Sequence, residues 1–206
     1  MRLRRFEFLL LFSVIAAASC SQKPQNGPAG ASGGLKPEAA HGAAAGAPAA
    51  RPGLQFTPPQ GWIPETPSSS SRKAQYKVPR AEGDSEDAAL VVYYFAGGGG
   101  TPEANVERWI GEFAGPDGKP VSNAAKITHK TVDHIPLTIV DVSGSYASSM
   151  GSMVSGGASK PGYRMLGAIA ETADGPWFIK LTGPERTVAK WRSGFESFLN
   201  STKQEP

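Results

Sequence analysis

Residues 54–206 predict an α+β domain, an antiparallel β-sheet with flanking helices. Three observations carry that expectation. Two pairs of apolar-rich segments are joined by short polar stretches, the pattern of hairpins. Two further segments repeat apolar residues at helical spacing. No internal repeat is visible, and no strand–helix–strand alternation of the kind that builds parallel sheets and nucleotide folds runs through the chain.

Taken in order, Leu54-Gln55-Phe56-Thr57 reads as a short strand stopped by Pro58-Pro59, and Gln60-Gly61-Trp62 turns the chain. After a serine-rich loop, Ala74, Tyr76 and Val78 alternate with Gln75 and Lys77, predicting a half-buried strand ended by Pro79. Arg80 to Asp87 is an acidic, polar loop. Ala88 to Phe95 is dense in Leu, Val and Tyr and reads as a central strand covered on both faces. Gly97 to Gly100 frees the backbone before Thr101, an N-cap, and Pro102, a first helical residue. Val106, Trp109, Ile110 and Phe113 then make one helical stripe, and Gly115-Pro116-Asp117-Gly118 ends it.

Ile127 to Val132 and Leu137 to Tyr146 flank Asp133-His134, a hairpin signal. Ala147 to Gly162 is Ser/Gly-rich and predicts an exposed loop. Tyr163 to Thr172 and Trp177 to Leu181 form a second hairpin around Ala173-Asp174-Gly175-Pro176. Gly183-Pro184 opens a final helix carrying Val188, Trp191, Phe195 and Phe198 on one stripe. Trp62, Trp109, Trp177 and Trp191 sit at strand or helical spacing and are expected in the core, where each stabilises by roughly 2–3 kcal/mol.

The segment before this domain divides in two. Residues 1–19 combine Arg2, Arg4 and Arg5 with an apolar run from Phe8 to Ala18, a secretory signal too short to span a membrane. Ala17-Ala18-Ser19-Cys20 resembles the bacterial lipobox, in which the cysteine is acylated and becomes the first mature residue. Cys20 is the chain's single cysteine. The alternative is an ordinary signal with an incidental cysteine near the cut. Several acyl chains on Cys20 give firm anchoring, each buried CH₂ contributing about 0.8 kcal/mol. Ser21, rather than Asp, follows Cys20, which in a host with two membranes implies the outer one by the family's sorting rule; the domain is expected to face the periplasm. Residues 20–53 form the tether: from Ser21 to Gly53, 22 of 33 residues are Ala, Gly or Pro, a composition that cannot offset ordering entropy. Its expected reach is on the order of 30 Å.

Charge excludes one class of partner. The whole chain carries +3, but residues 54–206 hold 15 Lys plus Arg against 16 Asp plus Glu. No basic run with interleaved aromatics is present to track a phosphate backbone, so nucleic acid is not an expected partner. With Cys20 acylated the domain has no thiol for disulfides, thiolate ligation or nucleophilic attack.

Phe56-Thr57-Pro58-Pro59-Gln60-Gly61-Trp62 resembles the F-x-x-P-x-G-W opening of the PsbP/Mog1-like superfamily, and the element order is similar. Trp177 to Pro184 resembles the strand-to-helix tail of bacterial envelope lipoproteins carrying such a domain. The resemblance spans Leu54 to about Asn200 and implies an α/β/α sandwich with non-enzymatic, protein-binding work. It brings no functional residues with it.

Several constellations are candidates for chemistry. Gly97 to Gly100 before a helix suggests an anion cradle, but no G-K-[ST] follows and no βαβ unit frames it. His129 and His134 with Asp133 suggest a metal, yet three or four convergent ligands are needed. Met150, Met153 and Met165 suggest Cu(I) ligation. Glu82, Asp84, Glu86 and Asp87 suggest Ca²⁺, without the alternating ligand order of a calcium loop. No G-x-S-x-G elbow is present. The expectation is therefore no catalytic, cofactor or metal residues, and a lipid-anchored envelope protein with a non-enzymatic binding domain. Its membrane contact is the N-terminal lipid and its partner another envelope protein, met by the loops Ala147–Gly162 and Arg80–Asp87. The alternative is a small-ligand or metal carrier, or an enzyme with an unrecognised site.

Overall fold

The computed structural model describes residues 53–96, 98–147 and 159–204. The expected signal, Cys20 and nearly all of the expected tether therefore lie outside the described residues. Among the described residues no helix is long and apolar enough to cross a membrane.

Among the described residues ten strands and three helices follow one another: β1 (Leu54–Gln55), β2 (Ile63–Glu65), β3 (Arg72–Val78), β4 (Ala88–Tyr94), α1 (Pro102–Ile110), β5 (Phe113–Ala114), β6 (Lys126–Val132), β7 (Ile135–Tyr146), β8 (Lys160–Thr172), β9 (Gly175–Pro184), α2 (Glu185–Lys190), α3 (Arg192–Asn200) and β10 (Lys203–Gln204). The main sheet has the order β2-β3-β4-β9-β8-β7-β5, with β6 also on β7, and every pairing is antiparallel. β1 and β10 form a separate two-stranded pair.

Side chains alternate across this sheet and build one core on each face. On the first face Leu90 and Val92 of β4, Ile179 and Leu181 of β9, and Leu166 and Ala168 of β8 meet Val188 of α2 and Phe195, Phe198 and Leu199 of α3. On the second, Phe178 of β9, Met165 and Ile169 of β8, and Val140 and Val142 of β7 meet Val106 and Trp109 of α1. Helices thus cover both faces of an antiparallel sheet, the α+β arrangement expected from the sequence.

The F-x-x-P-x-G-W segment is a structural clamp. The Phe56 ring lies 4.8 Å from Phe198, and Trp62 lies 5.5 Å from Phe198 and 5.9 Å from Tyr76. Gly61 takes φ +94°, where a Cβ would stand 3.1 Å from the Trp191 ring. Trp62, Trp109 and Trp177 are buried and Trp191 is partly buried, as expected of core residues.

Several boundaries differ from the sequence expectation. β2 was not foreseen. α1 stops at Gly111, four residues short of the glycine expected to end it, so Phe113 reaches the core from a short strand. The final helix is two helices broken at Trp191, whose φ −94° and ψ 10° leave the α-helical well. Its indole donates to the Pro79 carbonyl at 2.8 Å, a contact that fixes the ring at the break. Lys160 to Gly162 belong to β8 rather than to a loop, and residues 148–158 lie outside the described residues. The β8–β9 turn is shorter than expected, Thr172 pairing directly with Gly175.

Candidate functional site

Among the described residues the candidate constellations sit apart, each in a structural setting of its own. Asp133 and His134 are the positive-φ residues of a two-residue turn, and His129 on β6 places Nδ1 3.2 Å from the Thr138 hydroxyl across the strand pair. Met165 is fully buried in the second core, while Met150 and Met153 lie outside the described residues. Among the described residues no group of three His, Cys, Asp or Glu is placed to hold a metal. Gly99 and Gly100 have positive φ, and the Asn105 amide donates to the Gly99 carbonyl at 2.7 Å and to the Thr101 carbonyl at 2.9 Å. Thr101 Oγ1 accepts from the Ala104 N–H, so the start of α1 is capped by its own chain.

The acidic loop Arg80–Asp87 turns its carboxylates to separate structural tasks. Asp84 Oδ2 accepts from the Thr187 N–H at 2.9 Å and the Thr187 hydroxyl at 2.6 Å, capping α2 from another part of the chain. Asp87 Oδ1 accepts from the Arg80 N–H, and Glu86 pairs with Lys160 at 2.8 Å. On the first face Asp141 is held by Arg164 at 2.7 Å and by Arg192. Burial of Asp141 pushes its pKa up, but the hydrogen bonds from Arg164 and Arg192 outweigh it and hold the carboxyl below the usual aspartate value.

The surface with the most chemistry is one that sequence reading missed. α1 covers the second face over β8, where a Cβ at Gly167 would meet the Trp109 ring at 2.7 Å, but it stops short of β3 and β4. The uncovered part of the face is a trough. β4 is central, as expected, and Val91 is buried on this face, but Ala89 is exposed and Tyr93 half-buried, so the expected cover of both faces is incomplete. Two adjoining clefts, of about 430 Å³ and 290 Å³, share Arg72, Tyr93, Tyr146 and Lys180 along their walls.

Each wall residue has a local reason for its place. Lys180 lies on β9 opposite Val91 and Gly167, on the trough face by alternation. Its ammonium donates to Glu112 Oε2 at 2.7 Å and sits 5.4 Å from the Trp109 ring centre. Burial pulls the Lys180 pKa below the usual lysine value; Glu112 opposes this, and nearby Arg108 adds to it. Arg72 reaches the trough through a β-bulge. Ala74 pairs with Val92 on the first face, and by simple alternation Arg72 would join it there. A register shift between Arg72 and Ala74 instead pairs Arg72 with Tyr93 on the second face. There its guanidinium lies 5.4 Å from the Tyr93 ring centre and donates to Gln75 Oε1 at 2.8 Å. Tyr93 stacks parallel to Phe95 at 6.1 Å, and Phe95 is 41% exposed. Burial raises the Tyr93 pKa, with Arg72, Glu112 and Arg108 all close enough to act on it.

No family model matches this chain, and no curated protein matches it. Solved structures similar to this chain at low identity include two. One is PA94, a protein of unknown function from Pseudomonas aeruginosa, with 13% identity, a TM-score of 0.45, and coverage of 74% of this chain and 98% of that one. The other is the cyanobacterial PsbP (CyanoP) of Synechocystis, with 12% identity, a TM-score of 0.42, and coverage of 74% of this chain and 92% of that one.

One sequence signal did point at the trough. A lysine in the middle of the apolar run Trp177 to Leu181 is a charge that needs a partner. Arg72 carried no such mark, because its face is decided by the bulge.

Proposed function

We propose that this protein is a lipid-anchored component of the bacterial envelope whose α+β domain binds a second envelope protein and catalyses no reaction. Acyl chains on Cys20, palmitate among them, hold it to the outer membrane, and the Ala/Gly/Pro-rich stretch lets the domain reach into the periplasm. The observation that carries the binding reading is the trough. A sheet face left open beside its helix, with stacked aromatic rings and buried charge along it, is a recognition surface rather than unfinished core. The Arg80–Asp87 loop contributes Glu86 and Asp87 to its far end.

In-cell crosslinking of the tagged full chain followed by mass spectrometry tests this, with Cys20→Ala as the unanchored control. The expected result is one reproducible partner, captured by the anchored form and diminished in the control. Empty capture in both forms would remove the reading. A small-ligand carrier is the second reading, favoured by the 430 Å³ volume, which lies in the range of small-molecule sites. Native mass spectrometry of protein purified from its host separates the two, since a carrier retains a discrete non-covalent mass.

A further inference from the structure

We infer that the trough recognises an acidic peptide segment carrying an aromatic side chain, contributed by the partner; this rests on the binding reading above. The charge balance is the first argument. In the larger cleft Arg72, Arg108 and Lys180 face the single carboxylate of Glu112, an excess of two positive charges in a domain with 15 Lys plus Arg against 16 Asp plus Glu. Glu112 is already committed to Lys180. Arg108 donates to Asn105 Oδ1 at 2.5 Å and Arg72 to Gln75 Oε1, both neutral amides, and neither guanidinium makes an ion pair among the described residues. Two forked donors therefore flank one cleft with their charge uncompensated, and a carboxylate is the group whose geometry matches them.

The second argument is the surface between them. Tyr93 and Phe95 present parallel rings, and Phe95 is one of three large hydrophobic side chains exposed among the described residues. A planar side chain laid on this platform buries apolar area while its neighbouring carboxylate reaches a guanidinium. Shape is the third argument. The larger cleft adjoins the smaller across β4 and β9, and the joined surface, reaching from Phe95 to Glu86, has room for several residues of an extended chain. At its far end the exposed Lys160–Glu86 pair and Asp87 offer both signs of charge, which accommodates varied following residues. A basic segment meets three cations and is rejected.

The test titrates the full chain, held in detergent micelles, with three capped peptides: Ac-Glu-Phe-Glu-NH₂, Ac-Lys-Phe-Lys-NH₂ and Ac-Glu-Gly-Glu-NH₂. Calorimetry reads affinity. The acidic aromatic peptide is expected to bind at least about tenfold tighter than either of the others, with affinity falling as salt rises. Arg72→Ala and Arg108→Ala are each expected to weaken it about tenfold, and Arg72→Lys to recover only part, because the fork is lost while the charge remains. An unchanged melting temperature shows that these variants fold. Equal binding of the acidic and basic peptides, absence of binding by the acidic one, or indifference to the double arginine variant would each overturn the inference. Crosslinking keeps the two readings apart. A partner still captured by the Arg72→Ala/Arg108→Ala chain removes the trough assignment and leaves the binding module intact, whereas the peptide titration does not depend on any partner being captured.

Discussion

Replacing Gly167 with alanine drives a methyl group into the indole of Trp109. The added Cβ would lie 2.7 Å from Cζ3 and 2.8 Å from Cε3 of that ring, and 3.5 Å from the Met165 methyl. Carbon–carbon contacts are most favourable at about 3.5–4.0 Å, so the ring must retreat by roughly 0.7 Å or more. It has little room: Trp109 is 1% exposed, its ring centre is 6.2 Å from Phe178 in an edge-on contact, and Lys180 lies over it. Overpacking of this kind costs about 1–3 kcal/mol. Against that, alanine is favoured over glycine inside a strand by roughly 0.5–1 kcal/mol. The expected net loss is about 1 kcal/mol, or a fall of about 2–4 °C in melting temperature for a chain of this size, measured by calorimetry. The indole should be the cause, so Trp109→Phe, which removes the outer ring carbons, is expected to make Gly167→Ala neutral or stabilising. Equal effects of Gly167→Ala in the two backgrounds, or a higher melting temperature in the wild-type background, would refute the packing argument.

Three further outcomes are expected. Asp84→Ala removes the acceptor that caps α2 and should lower stability by about 1–2 kcal/mol in urea unfolding, while added Ca²⁺ or a chelator leaves the wild-type midpoint unchanged because that carboxylate is already used. Asp141 has a folded pKa below its unfolded value, so its contribution is present in full above the unfolded pKa of about 3.9 and is lost as pH falls through the lower folded one. Asp141→Asn should cost about 1.5–3 kcal/mol at neutral pH and flatten the acid limb of urea midpoint against pH, an outcome that a parallel pair of curves would contradict. Cys20→Ala should move the protein from the membrane pellet to the soluble fraction on ultracentrifugation of lysed cells.

Much of the fold was written in local chemistry. Asp133-His134 tolerates positive φ, here 47° and 66°, and so marked its hairpin between two alternating runs. Thr101-Pro102 marked the start of α1 in the same way. What stayed hidden was decided by distant contacts. Val188, Trp191, Phe195 and Phe198 keep an unbroken helical stripe, so nothing local announces the break at Trp191; the Pro79 carbonyl, more than a hundred residues away, receives its indole N–H. Phe113 fits the stripe of α1 yet arrives from β5, because either route brings its ring to the same core. The acidic loop looked free because its carboxylates find their partners on α2 and β8. At the trough Lys180 was legible as a charge in an apolar strand. Arg108 and Glu112 looked like ordinary polar residues around a helix end, and Arg72 depended on one extra residue of strand length.

The small pair formed by β1 and β10 has a mechanical consequence. Leu54 pairs with Gln204 and Gln55 with Lys203, so the chain enters the domain beside the segment where its last helix has just finished. Any pull that arrives through Leu54 is borne first by two residue pairs, which separate in turn rather than together. Behind them the Thr57 N–H donates to the Ser201 hydroxyl at 2.8 Å and the Phe56 ring presses on Phe198. Those contacts tie the entering strand to α3 and the turn after it, not to the main sheet. A pull of that kind would therefore open the clasp first and reach α3 next, ahead of the long ladder of β3, β4, β9 and β8 that floors the trough.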